Sequence, residues 1–190
     1  YPFTNIFRAP LLGDKIDTKR ISTLGSDFTN DKINEGAITF SPDGNTLIFA
    51  RGNSGKPKGN EEVNLYISNY TRGQWSQPEP MGINQGGSWD STPTFSRNGN
   101  LIYFASNRPG GYGGIDLYVA KRTNTGRFGF VQNLGPEINT PGDELFPFVS
   151  DDGKLYFSST GHPGLGSLDL FVATRANDTI SIENLGHPIN

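Results

Sequence analysis

At 190 residues the chain can form one domain with a sizeable core, but 25 glycines and 13 prolines interrupt it too often for long helices and favour short strands joined by turns. A formal net charge of −3 with scattered basic residues supplies no positive field for phosphates, so nucleic acid is excluded as an expected partner. Without cysteine there is no disulfide, thiol nucleophile or thiolate zinc site, and no apolar run reaches the roughly 18 residues that a direct membrane span needs.

Residues Tyr1 to Asn5 resemble neither an initiator start nor a signal peptide, and the chain reads as a piece of something longer. Asn5 to Leu24 has the length of two strands, and residues 1–25 are expected to form half of a four-stranded blade. Three longer units follow, at 34–84, 90–139 and 144–190. Their most visible marks are Ser41-Pro42-Asp43-Gly44, Ser96-Arg97-Asn98-Gly99 and Ser150-Asp151-Asp152-Gly153, which recur 55 and 54 positions apart. Self-similarity at this period signals one supersecondary unit stacked several times.

Each unit divides into four strands. In the second, Thr92 to Ser96, Leu101 to Ser106, Asp116 to Lys121 and Phe128 to Leu134 are the expected strands. The Asp-Gly and Asn-Gly pairs predict type I′ hairpin turns between the first two strands, because both central positions of such a turn need positive φ. Leu47-Ile48-Phe49-Ala50, Ile102-Tyr103-Phe104-Ala105 and Leu155-Tyr156-Phe157-Ser158 are near-continuous apolar runs, as expected of strands covered on both faces. Between the second and third strands lie glycine-rich loops, lengthened by three residues in the first unit around 53–60. The fourth strand ends in Met81-Gly82, Leu134-Gly135 or Leu185-Gly186, each followed by Ile-Asn.

Repeats of four antiparallel strands predict an all-β fold, a β-propeller of about three and a half blades. A blade interface of several hundred Å² contributes on the order of 10 kcal/mol as an upper bound at about 25 cal/mol per Å², comparable with the whole stability of a domain. The open ends of the arc are therefore expected to be covered, by strands following position 190 or by a second copy.

Six positions before each repeat serine stands an acid: Glu35, Asp90 and Glu144. At the start of the innermost strands these carboxylates would share one mouth of the channel, where they could hold a cation, calcium for instance, or a basic peptide. Repetition in every blade favours the structural reading over that one, each carboxylate accepting hydrogen bonds from the neighbouring blade's backbone or hydroxyls. Asp116 and Asp169, with Asn64 in the first unit, open the third strands and are expected to cap the preceding loops. Arg108 and Tyr112 are candidate loop contacts for a partner; Trp75 and Trp89 could serve as binding hot spots but suit the core better. Gly110-Gly111-Tyr112-Gly113-Gly114 lacks a following helix and is read as a loop, not a phosphate cradle. Ser159, His162 and Asp169 do not make a convincing triad, since His162 aligns with Pro109 of the preceding unit.

The run Asn139-Thr140-Pro141-Gly142-Asp143-Glu144, with Leu155-Tyr156-Phe157-Ser158-Ser159 and Leu168-Asp169-Leu170-Phe171-Val172, resembles the WD40-like, TolB-type propeller repeat. Tyr103 to Gly111 and Ile115-Asp116-Leu117-Tyr118 are similar to the version found in OmpA-family envelope lipoproteins, including the PorE-type component of the type IX secretion system. The likeness covers about residues 34 to 190. It implies a periplasmic, outer-membrane-associated scaffold without enzymatic activity that docks envelope proteins and touches peptidoglycan only through modules outside this chain. The competing expectation is a propeller enzyme acting on glycans or peptides, which would need acids or imidazoles peculiar to one blade.

Overall fold

The computed structural model describes residues 4–25, 28, 33–52, 62–177 and 179–190. Its first element is an interrupted hairpin: β1 (Phe7–Arg8) pairs with β4 (Ser22–Thr23), and inside them β2 (Leu11–Leu12) pairs with β3 (Lys15–Ile16). A short 3-10 turn at Thr18–Arg20, capped by the Asp17 carboxylate on Lys19 N, returns the chain between them. Three antiparallel sheets follow. The first contains β5 (Asn34–Phe40), β6 (Thr46–Gly52), β7 (Val63–Thr71), β8 (Gln74–Trp75) and β9 (Glu79–Pro80), the last two being pieces of one broken outer strand on β7. The second is β10 (Asp90–Phe95), β11 (Leu101–Ser106), β12 (Asp116–Arg122) and β13 (Phe128–Asn133). The third is β14 (Glu144–Val149), β15 (Leu155–Ser159), β16 (Asp169–Ala176) and β17 (Thr179–Asn184). Among the described residues there is no α-helix. In each sheet the strand order is the chain order, and β10 lies against both β5 and β14, so the first strands form the inside of a fan of blades.

The core sits between blades. Ile48, Val63 and Leu65 of the first blade pack on Phe95, Ile102, Phe104 and Phe128 of the second. Leu117 and Ile138 of the second pack on Phe157, Phe171 and Ala173 of the third, while Ile6 and Phe28 cover Leu47 and Phe49 on the other side of the first. This explains why the second strands are apolar without alternation: both of their faces meet a neighbour. Among the described residues none covers the far face of the third blade. Ile189 is 59 % exposed, whereas its equivalents Ile83 and Ile138 are 5 % and 3 % exposed.

Two backbone devices recur in every blade. Two residues after each repeated acid, Ala37, Thr92 or Phe146 has φ of 45°, 46° or 53°, and the pairing register slips there. Strain of about 1–3 kcal/mol per site, kept in all three blades, marks these bulges as part of the architecture. The second device is the asparagine after each outer strand. Leu117 N donates to Asn139 Oδ1 at 2.8 Å and Asn139 Nδ2 donates to Leu117 O at 2.9 Å, so one side chain pairs with the third strand as another strand would. Asn84 does the same to Leu65 and Asn190 to Leu170.

The first hairpin turns differ from the type I′ geometry that their Asp-Gly and Asn-Gly pairs predict. Only the glycines Gly44, Gly99 and Gly153 have positive φ; Asp43, Asn98 and Asp152 do not. Gly44 N donates to Ser41 O, Gly99 N to Ser96 O and Gly153 N to Ser150 O, a type I arrangement with the left-handed residue placed last. The serine hydroxyl, donating to Asp43, Asn98 or Asp152 two residues on, favours that wider turn. In the third blade Lys154 adds an ion pair at 2.8 Å, and Lys154 followed by Ser150 holds the Asp152 carboxyl at about 2, below the usual 3.8.

Two outcomes follow. Asn139→Ala should lower stability in urea unfolding by about 2–3 kcal/mol, because it strands buried backbone groups, while Asn190→Ala, whose bonds are exposed, should cost less than about 1 kcal/mol. For Asp152, whose folded pKa is depressed, the stabilising contribution is present above 3.8 and vanishes as pH falls through about 2. An NMR titration of its side chain should show that midpoint, and Lys154→Ala should move it toward 3.8.

Candidate functional site at the loop face

Register places the three repeated acids and the loops after the second strands at one end of the blades, since Asp90 pairs with Ser106 and Glu144 with Ser159. The carboxylates are not presented there. Glu35, Asp90 and Glu144 are at most 1 % exposed and are engaged within the protein. Arg51 Nε donates to Glu35 Oε1 at 3.1 Å, and Arg108 Nη2 to Asp90 Oδ1 at 2.9 Å. Glu144 accepts instead from the Ser159 and Thr140 hydroxyls, both at 2.6 Å, and from Thr140 N. Of the two readings of these acids, the geometry matches the structural one: three buried carboxylates tie the blade entrance together. Among the described residues no group of three His, Cys, Asp or Glu could hold a metal ion.

Arg108 is likewise drawn back from the loop surface on which a partner contact would need it. Its guanidinium lies 4.9 Å and 5.0 Å from the rings of Phe104 and Tyr118, and Arg51 covers Phe49 and Tyr66 in the same way. From this seat Arg108 Nη2 also donates to Ile83 O of the preceding blade at 3.2 Å. In the third blade His162 occupies the equivalent place, 5.2 Å from the Phe171 ring, with Nε2 2.9 Å from Ile138 O. A carbonyl only accepts, so Nε2 is the protonated nitrogen. The Ser159 hydroxyl meanwhile donates to Glu144 and accepts from the backbone of Gly161 and His162, so no Ser–His couple exists.

The loop face does expose large apolar side chains. Asp116 Oδ2 accepts from Tyr112 N at 2.6 Å and Oδ1 from Gly113 N at 3.0 Å, while Asn133 Nδ2 braces Oδ2 at 2.7 Å. Asp169 repeats the clamp, accepting from Leu165 N, from Gly166 N at 3.3 Å and from Asn184 Nδ2 at 3.3 Å. A side chain at Gly111 or Gly164 would collide with the clamping carboxylate, which explains a glycine at both positions. The clamped residues, Tyr112 at 50 % and Leu165 at 70 % exposure, project from equivalent points of two blades. The second-blade loop is fixed further to its neighbour by Gly114 N on Gly142 O and Ile115 N on Asp143 Oδ1, both at 3.0 Å. In the first blade Asn64 donates to Glu62 Oε1, and the loop it was expected to cap, 53–60, lies outside the described residues. Trp75 packs with Phe28, Phe40 and Tyr70, and Trp89 sits half-buried between blades.

Sequence reasoning singled out Tyr112 but missed Leu165, although the equal spacing from Phe104 to Asp116 and from Phe157 to Asp169 puts the two in register. It missed Asn133 and Asn184 entirely.

No family model and no curated protein matches the chain. Among solved structures it is similar to a putative TolB from Agrobacterium tumefaciens, at 19 % identity and a TM-score of 0.56 over 87 % of this chain and 52 % of that one. TolB from Acinetobacter baumannii aligns at 18 % identity and 0.57, over 95 % and 42 %. A puromycin-hydrolyzing peptidase of Mycobacterium tuberculosis aligns at 20 % and 0.56, over 90 % and 24 %. The chain thus spans about half or less of the length of each. At these identities the likeness is one of fold, the TolB-type β-propeller.

Because Asp90 is fully buried, Arg108→Ala should destabilise by about 3–5 kcal/mol in denaturant unfolding. Adding Asp90→Asn to that variant should recover about 1–3 kcal/mol relative to additivity.

Proposed function

We propose that this chain is a non-enzymatic, protein-binding propeller segment of a bacterial envelope protein, periplasmic and associated with the outer membrane. The observation that carries the reading is the pair of aspartate clamps: they bond the loop backbone in place while Tyr112 and Leu165 stay exposed on one face. An exposed apolar side chain on a pre-ordered loop loses little conformational freedom on binding, which is how a docking contact gains affinity. The polar groups near the same face hold the blades together: Asp90 and Arg108 bond each other, Glu144 bonds hydroxyls, and His162 bonds a carbonyl. The sequence likeness to envelope lipoproteins supports the location, and type IX secretion is the most specific setting proposed.

The competing reading is a propeller belonging to an enzyme, favoured by the likeness to a peptidase of which this chain covers 24 %. A Tyr112→Ala/Leu165→Ala variant distinguishes them. With both side chains exposed, its melting temperature should stay within about 1–2 °C of the parent, since surface substitutions rarely exceed ±0.5 kcal/mol. Capture of stoichiometric protein from an envelope extract should fall at least tenfold. Saturable hydrolysis of a glycan or peptide by the parent chain, with no loss of capture in the variant, would establish the enzyme reading instead.

A further inference from the structure

The repeats act as internal controls, and one strained residue fails to repeat. Arg72 and Asn177 have positive φ in hairpin turns, and Ala37, Thr92 and Phe146 in the shared bulges; Phe130, at φ 52°, belongs to neither set. It lies within β13, where pairing with β12 slips between Val119 and Lys121. Val119 faces Gln132 and Lys121 faces Gly129, three residues apart, whereas in the third blade Val172 faces Glu183 and Thr174 faces Ser181, two apart. The second blade thus carries one extra residue that the fold does not require. A bulky aromatic at positive φ is an outlier, and burial does not compensate for it: Phe130 is 80 % exposed.

The bulge aims that ring between two contiguous hollows at the outer rim of the second and third blades, toward the end opposite the clamped loops. One, of about 560 Å³, is walled by Tyr103, Val119, Leu134, Leu155 and Ile180; the other, of about 510 Å³, adjoins Lys121 and Thr125. The charged residues lining them are Lys121, Arg122 and Arg175, and no acidic residue lines either. Lys121 and Arg175 are exposed, and neither forms an ion pair among the described residues. In a chain of net charge −3, an all-basic rim around an apolar trough is a local reversal of sign. The corresponding hollow between the first and second blades has Glu79 beside Arg122 and Arg127, and no exposed aromatic lines it.

We infer that this groove is a docking site for an extended acidic peptide segment of another protein, whose apolar side chain packs on Phe130 while its carboxylates meet Lys121 and Arg175. Apolar walls select a peptide bearing a hydrophobic residue over a bare polyanion, and cations on both banks set its charge. The site is separate from the clamped-loop face, so Tyr112→Ala/Leu165→Ala leaves it intact.

The test uses a fluorescein-labelled peptide of alternating glutamate and phenylalanine, read by anisotropy, with a lysine–phenylalanine peptide and polyglutamate as controls. Phe130→Gly is the decisive variant: glycine accepts positive φ without strain, so the melting temperature should hold or rise. Binding of the glutamate–phenylalanine peptide should weaken at least tenfold in Phe130→Gly and in Lys121→Glu/Arg175→Glu. It should also weaken steeply with added salt. The inference is overturned if Phe130→Gly binds as the parent does, if polyglutamate or the lysine peptide binds as tightly, or if the parent binds no peptide. A fall in melting temperature for Phe130→Gly would overturn it too, by showing that the ring is retained for folding.

Discussion

Every blade of this protein depends on its neighbour for a core. The largest fully buried side chains, Phe49, Phe104 and Phe157, lie in layers shared by two successive units. A four-stranded sheet of this size has two apolar faces and can cover neither by itself, so burial of about 25 cal/mol per Å² is gained at the joints between sheets. The polar devices follow the same rule. Arg108 and His162 reach the carbonyls of Ile83 and Ile138 in the blade before, and Glu144 N returns to Ile115 O. Stability of such a body is close to a sum over adjoining units, each interface counting once.

This constraint separates what the amino-acid sequence reveals from what it conceals. The repeat serines, the apolar second strands and the Ile-Asn endings state the all-strand architecture, because period and alternation are properties of the chain itself. The state of Glu35, Asp90 and Glu144 is not such a property. Spacing puts them at the entrance to the inner strands, but their burial depends on Arg51, Arg108 or Thr140 folding over them, and each has a different origin along the chain. Arg108 reads as a loop residue by position, yet a stacked Phe104–Tyr118 pair beneath it, 6.0 Å between centroids, offers a better seat than water. The turns show a subtler failure: Asp-Gly suggests a tight hairpin, and the serine two residues earlier selects a wider one. Phe130 was illegible for a plain reason. A single inserted residue leaves hydrophobic patterning almost unchanged while turning one side chain outward.

Comparison between blades also separates maintenance from specialisation. Features present in each unit, such as the strained bulge and the bridging asparagine, answer needs that every unit shares. Phe130 is different: among the described residues its strained, exposed position is found in the second blade alone, and the fold of the other blades does without it. The clamps illustrate how loop and frame connect. Asn133 bonds Asp116 and also Asn139, which pairs with Leu117, so a loop at the surface is braced through the outer strand to the blade's own centre. Rigidity at the tip is inherited from the frame.

The asparagine that closes each unit marks where one sheet ends and the next begins. Asn84, Asn139 and Asn190 sit beyond the outer strand yet extend its pairing along the third strand, and the next residue's amide is taken by the acid of the following sheet, as with Gln85 on Asp90 and Thr140 on Glu144. A cut between Asn84 and Gln85, or between Asn139 and Thr140, leaves all of these bonds whole, because each asparagine bonds back into its own sheet and each following amide bonds forward into the next. The hydrogen-bonding frontier between sheets thus falls at a single peptide bond, while the apolar layers straddle it.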